Sequence, residues 1–532
     1  MENLMKKWNH HRGVILAAAL IILLIILVGP IFTPAQNGTD EGMELSKAFQ
    51  MNGPEEWHRG MWNDQPLLLD ELNRIAFFIF GPRACAARLL NLCFFGVLMV
   101  SLTALIPRQT PGRRVVIALT WIALLSQPSM LFLSVSAMKE LPAFAVGVTS
   151  FALIASSPVV GGPGNRRLLM SGCLLAVAAQ MKFTALLLAP GIGCSLLLVL
   201  WNSQSWKTAL KPVLQRVGLW VMAFGGTFLV LGSCLIFLHP EWSWTELIRS
   251  HWGNRLPEFA PIVDNQSCDW ARLFGNYWLL PFLTLGGYYC IHSTGWKTLL
   301  PPLVFLLTVI VVHLFHRPWW YYYYLHFEVA WAMLAAVAGT FLVKRFSSLL
   351  SQELGGKGIG FAACLAALSL FVTGGTMDVL DNISYLGRLK KMEESPLVEQ
   401  MRKYRNETRW IFTKNHFCAF QAGLPIPPNL LLLVKKRFWS GQITEEEVLN
   451  EVRGIQPEQL LLSRDRELKD ENWRNFIAED YVKIISSDNW VLYVYKRLNP
   501  KPIPKDEVTE HILKQLGLET DSSESAISSP KE

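Results

Sequence analysis

Charge is scarce in this chain. Only 17% of its 532 residues are Asp, Glu, Lys or Arg, against roughly 25% in an ordinary soluble protein. So little charge cannot cover a water-exposed surface of this size, which excludes a lone soluble domain. Extended disorder is excluded too, because 51% of the residues are hydrophobic and must be buried somewhere. Paired cysteine spacing is missing: the nine Cys are scattered and no CxxC occurs, so neither a disulfide framework nor a zinc knuckle is expected. No Walker A sequence occurs, which argues against an ATP-driven pump and predicts no nucleotide cofactor. The Gly-rich stretch from Gly355 to Gly360 follows no strand and reads as a linker. What the chain has instead is 20 Trp, 29 Phe, 12 Tyr and long apolar runs.

Those runs fall at 14–30, 85–106, 115–135, 141–156, 168–181, 185–201, 217–238, 277–291, 299–314, 327–343 and 359–376. They predict an α-helical multi-pass membrane protein with about eleven transmembrane helices. Lys182 either interrupts one long run or separates two spans. The first run follows Lys6, Lys7 and Arg12 like a signal peptide, but its length and Leu/Ile content favour a retained helix. Placing the N-terminus in the cytoplasm puts 15 Lys/Arg in the cytoplasmic segments, where the only acids are Glu2 and Glu353. The positive-inside rule is then met at every turn. The expected setting is the inner (plasma) membrane, with a C-terminal domain on the extracytoplasmic, periplasmic side. Residues 1–376 hold 26 Lys/Arg against 17 Asp/Glu, and residues 377–532 hold 23 against 25. The net +7 is thus membrane anchoring, and nucleic acid is not needed to explain it.

Three parts are expected: a membrane domain over 1–376, an extracytoplasmic α/β domain over 377–498 and a mobile tail over 499–532. In the second part, β-like runs lie at 410–413, 459–462, 481–485 and 491–495, and helical patterns at 429–439 and 444–452. Thr444 with Glu447 reads as a capping box.

The acids of the membrane part are unevenly placed. Thirteen of the 17 fall in two outside loops, 31–84 and 239–276. The first begins with Thr39-Asp40-Glu41. It continues through Trp62-Asn63-Asp64-Gln65-Pro66 and Phe80-Gly81-Pro82-Arg83, and leads by Ala87-Arg88-Leu89 into the next span. Two carboxylate clusters on one loop, tethered at both ends, serve general-base chemistry or a divalent cation. The plain alternative is a solvated loop.

That order of motifs resembles the GT-C glycosyltransferases of the protein O-mannosyltransferase and lipid A aminoarabinose transferase type. The similarity returns at Ser250-His251-Trp252-Gly253-Asn254-Arg255-Leu256 and at the Tyr-rich stretch from Arg317 to His326. The resemblance implies a sugar donor carried on a polyprenyl phosphate, which brings its own leaving group. The acceptor, a hydroxyl or amine of a lipid, polysaccharide or protein, is left open. It implies Asp40 as general base and Glu41 as its supporting neighbour. It also implies a Mg, Mn or Zn site from Asp40, Asp64 and His251. Some relatives carry Lys where this chain has Gln65, so a phosphate-facing cation must come from elsewhere. Arg255, Lys182, Lys139 and Arg317 are the candidates, with Tyr324 and His326 as further substrate contacts.

Each has a plainer reading. A lysine at a helix end commonly snorkels, although an embedded charge is a functional hypothesis by default. Lys139 and Glu140 are adjacent and do not share a helix face. Tyr321 to Tyr324 with Trp319 and Trp320 suit an interfacial belt. His326 and His58 suit structural roles equally well, whereas Arg255 would share a helical face with His251. A transporter or flippase of a lipid-linked substrate is the alternative function, and would want polar or broken helices at the midplane. A binding protein working through the C-terminal domain is a third, though no site motif occurs there.

Overall fold

Apolar segments satisfy their backbone in a bilayer by forming helices, and ten of the eleven apolar runs are helical in the computed structural model. It describes residues 28–37, 40–156, 163–201, 206–240, 242, 244–245, 268–270, 277–293, 295–316, 318–350, 358–390, 394–487 and 489–500. The run at 14–30 lies outside these but for its last three residues, and residues 351–357 and 501–532 lie outside as well.

In the first loop stand α1 (Glu41–Met51) and α2 (Leu68–Phe80). The bundle follows: α3 (Ala84–Ala104), α4 (Arg113–Leu125), α5 (Pro128–Ser134), α6 (Glu140–Ala155), α7 (Asn165–Met181), α8 (Ala189–Trp201), α9 (Trp206–Leu238), α10 (Leu279–His292), α11 (Trp296–Phe315), α12 (Tyr324–Leu350) and α13 (Gly358–Lys390). The last runs on past Thr376, where hydropathy alone would end it.

Among the described residues, five helices are long and apolar enough to cross a bilayer, and a sixth span forms if α4 and α5, bent by 86°, are one. Of the eleven expected spans the first lies outside these residues, and the count is lower than the remaining ten. Hydropathy counts an apolar run whatever surrounds it. The 16-residue α6 is buried on nearly every face, so its apolarity answers neighbouring helices as much as lipid. The α4–α5 bend has a local cause: Gln127 precedes Pro128, and a residue before proline is pushed out of the helical region. Lys182 does mark a break. It is extended, at φ −160° and ψ 131°, between α7 and a 3-10 turn over Phe183–Leu188.

Close helix crossings rest on small residues. A Cβ on Gly172 of α7 would stand 2.6 Å from the carbonyl oxygen of Trp220 in α9.

The C-terminal part follows its sequence closely. Strands β1 (Ile411–Thr413), β2 (Gln459–Ser463), β3 (Tyr481–Ser486) and β4 (Trp490–Tyr495) form a mixed sheet in the order β1-β2-β4-β3. The β1–β2 pair is parallel and the others antiparallel. Helices α14 (Pro396–Lys403), α15 (His416–Ala422), α16 (Pro428–Leu431), α17 (Lys435–Trp439), α18 (Glu445–Ile455) and α19 (Glu471–Asp480) surround it. Thr444 and Glu447 form the expected capping box on α18. The pattern at 429–439 resolves into α16 and α17.

This domain sits on the first loop. Helix α15 packs against α1, where a Cβ on Gly42 would come within 2.6 Å of the Phe417 backbone nitrogen. Gln50 of α1 donates to the Ile426 carbonyl at 2.9 Å and accepts the Ile426 N–H at 3.1 Å. Met43, Met61 and Trp62 pack on the domain's core.

Candidate active site

Asp40 is the N-cap residue of α1, so it stands where the chain leaves the loop and turns into the helix. Its neighbour Glu41 points inward and is fully buried. Arg88 of α3 grips it with a fork, Nε to Oε1 at 2.8 Å and Nη2 to Oε2 at 2.9 Å. The remaining donors of Arg88 go to the carbonyls of Ile31 (3.2 Å), Thr33 (2.7 Å) and Ala35 (2.6 Å). Glu41 also accepts the N–H of Ala137 at 2.9 Å and that of Asn37. A buried charge is tolerable when paired and hydrogen-bonded on this scale. The result ties the loop, α3 and the segment before α6 together directly beneath Asp40.

A second buried cluster lies between α1, α2 and the start of α6. Lys139 meets Asp70 at 2.7 Å, Glu44 at 3.3 Å and the Pro66 carbonyl at 3.3 Å. Lys47 meets Glu44 at 2.6 Å and Asp70 at 3.3 Å. Burial pushes both carboxyls up. In Asp70 the two lysines and its hydrogen bonds overcome that and hold it below the usual range. In Glu44 they do not, and it stays raised. Lys139 and Glu140 do part company: Lys139 turns to Asp70, and Glu140 pairs with Lys182. Lys182 also lies 4.4 Å from the centre of the Tyr322 ring. Burial draws its ammonium down to about 7, against the attraction of Asp40 and Glu44 and with the repulsion of Lys436 and Lys139.

Asp64 is held by a local turn. The Asn63 side chain bridges to Gln65, donating to its carbonyl at 3.0 Å and accepting its N–H at 3.2 Å. Asp64 Oδ2 then meets Lys436 of α17 at 3.2 Å. The charges of Asp40 and Asp64 both reach Tyr322 and Tyr323. The first loop, Lys182, the tyrosines ahead of α12 and the C-terminal domain therefore converge on one place.

Of the other expected residues, His251, Arg255 and Arg317 lie outside the described residues. Tyr324 is buried and its hydroxyl donates to the Asp269 carbonyl at 3.4 Å. His326 is fully buried, with Nδ1 at 2.8 Å from His313 Nε2 and its ring stacked on Phe144 at 4.6 Å. His58 sits near His239, which pairs with Glu71. Among the described residues no three His, Cys, Asp or Glu gather as metal ligands. Beside Asp64 stands an ammonium, which repels a divalent ion. His251, the third residue of the expected metal set, lies outside the described residues.

Sequence reasoning misses Lys47, Glu44 and Asp70 and gives Glu140 no partner; only Glu44 and Lys47, three residues apart on α1, carry a local signal, and the other pairings join distant segments. It quoted Arg88 within a motif without a role. Its signal was available: an arginine a few residues inside an apolar helix demands a buried acid. Lys436 had no comparable signal, because its partner lies far away in the chain.

No protein-family model matches the chain, and no curated protein matches it in sequence. Its structure does match. The crystal structure of ArnT from Cupriavidus metallidurans bound to undecaprenyl phosphate superposes with a TM-score of 0.60 at 14% identity, over 90% of this chain and 97% of that one. The apo ArnT structure gives a TM-score of 0.62 at 14% identity, over 93% and 100%. The chain therefore has the fold of ArnT.

Proposed function

We propose that this multi-pass membrane protein transfers a sugar from a polyprenyl-phosphate donor to a hydroxyl or amine acceptor at the extracytoplasmic face. The observation that carries the reading is the fold likeness over nine-tenths of the chain to a protein crystallised with undecaprenyl phosphate. The convergence of Asp40, Asp64 and Lys182 on one place supports it.

In this reading Asp40 is the general base. The acceptor oxygen or nitrogen attacks the anomeric carbon and gives its proton to the Asp40 carboxylate. The bond from that carbon to the phosphate oxygen breaks, its electron pair stays with the oxygen, and polyprenyl phosphate leaves. Glu41 acts through position: clamped by Arg88, it sets where α1 begins and hence where Asp40 stands. Lys182, which lies over the Tyr322 ring, is the proposed cation that helps stabilise the leaving phosphate. Lys139 works at one remove, bracing α1 against α2 through Glu44 and Asp70. Arg255 and Arg317 remain proposed phosphate contacts, as do Tyr324 and His326 for the substrate. No step is routed through a metal.

The test is transfer by purified protein across a panel of polyprenyl-phosphate sugars, with and without EDTA. Asp40→Asn should lower turnover by about 10²–10⁴-fold while the protein still inserts and folds. Turnover at the wild-type rate in that variant would sink the assignment. Loss of wild-type activity in EDTA would support the metal site of Asp40, Asp64 and His251.

A further inference from the structure

Lys435, Lys436 and Arg437 make a basic run on α17. Such a run is ordinarily a solvated face. Here it faces the membrane part. The Lys435 ammonium lies 5.9 Å from the Trp320 ring centre, that of Lys436 3.2 Å from Asp64 Oδ2, and the Arg437 guanidinium 5.2 Å from the Trp62 ring centre. All three partners belong to the first loop or to the entry of α12.

The cations near this place differ in what they have left to offer. Arg88 uses all its donors on Glu41 and three carbonyls, and is sealed. The Lys139 side chain is 2% exposed and meets two carboxylates and a carbonyl. The Lys182 ammonium is held by Glu140 over Tyr322. The Lys436 side chain is 20% exposed and meets a single carboxylate oxygen, although an ammonium has three donors. Its charge also repels that of Lys182.

We propose that Lys436, carried by the C-terminal domain and oriented by Asp64, binds the phosphate of the lipid-linked donor. This rests on the transferase reading above. The donor phosphate is a diester with one negative charge. As the sugar leaves, the bond to the anomeric carbon breaks and the phosphate becomes a monoester carrying a second. A fixed ammonium there gains attraction as the charge grows, which is stabilisation of the transition state over the ground state. The C-terminal domain then completes the active site.

The test uses the full-length protein in detergent with undecaprenyl phosphate, undecaprenol and inorganic phosphate as probes. Wild type should prefer undecaprenyl phosphate to undecaprenol. Lys436→Gln should weaken that binding about 10- to 100-fold, the weight of one charge-assisted hydrogen bond, with an unchanged ligand-free Tm. Lys436→Arg should keep most of the affinity. Wild-type affinity in Lys436→Gln, alongside a clear wild-type preference, overturns this assignment and leaves the transferase reading standing. A fall in ligand-free Tm, with Lys436→Arg failing equally, overturns it in favour of a mere domain brace. Displacement of the lipid by inorganic phosphate at equal concentration overturns the lipid-phosphate assignment. A wild type that binds undecaprenol as well as undecaprenyl phosphate removes the transferase reading and this assignment with it.

Discussion

Glu41 and Asp40 are neighbours in sequence with opposite fates. One carboxylate is sealed under the other, and the contrast comes from where α1 begins. Arg88 spends its whole fork on holding that start in place. Removing one partner of a buried ion pair leaves the other uncompensated. Glu41→Gln should therefore cost about 3–5 kcal/mol. Arg88→Lys should be little better, since an ammonium keeps the charge and loses the fork. Thermal unfolding of the two variants in detergent measures this. Near-wild-type Tm values would show that the pair is incidental. The Asp-Glu pair was legible in the sequence, but which member faces out was not. Adjacent residues leave a turn in directions set by the backbone, and only tertiary contacts fix that.

At the scale of elements, short apolar helices separate hydropathy from topology. Helix α6 is read from the sequence as a span and found enclosed. Helices α7 and α9 cross where Gly172 meets Trp220 and Phe224. Gly172→Ala should push these backbones apart, at a cost of about 1–3 kcal/mol. Gly218 of α9 has open space where a Cβ would go. Gly218→Ala should leave stability unchanged or raise it by about 0.4–1 kcal/mol, since alanine loses less conformational freedom in a helix. Parallel melting curves compare the two, and equal shifts would refute the close-crossing account. The strands of the C-terminal sheet are legible almost residue by residue, because short apolar runs bounded by polar turns carry their own signal, reinforced in β1, β3 and β4 by β-branched and aromatic residues.

For the whole molecule, the junction between the first loop and the C-terminal domain matters most. Met43, Met61 and Trp62 rest on that domain's core, and Gln50 bonds to its backbone. Truncation after Lys390 should leave the membrane helices inserted. It should expose the first loop to proteolysis within 41–80 and abolish transfer, because α1 loses its partner. Limited proteolysis followed by mass spectrometry reads the first effect and the transfer assay the second. Retained turnover in the truncated protein would show that the domain is dispensable.

The sequence by itself determined the membrane class, the order of motifs and the strands of the C-terminal sheet. These depend on composition, periodicity and local turn chemistry, all of which are written along the chain. Only the tertiary structure decided which charges pair: Arg88 with Glu41, Lys139 with Asp70, Lys182 with Glu140 and Lys436 with Asp64. A buried charge takes whatever opposite charge the fold brings within hydrogen-bond reach, and the fold brings partners from far along the chain. The scarcity of charge makes each such pairing count, and Lys436 links the C-terminal domain to the acid of the first loop.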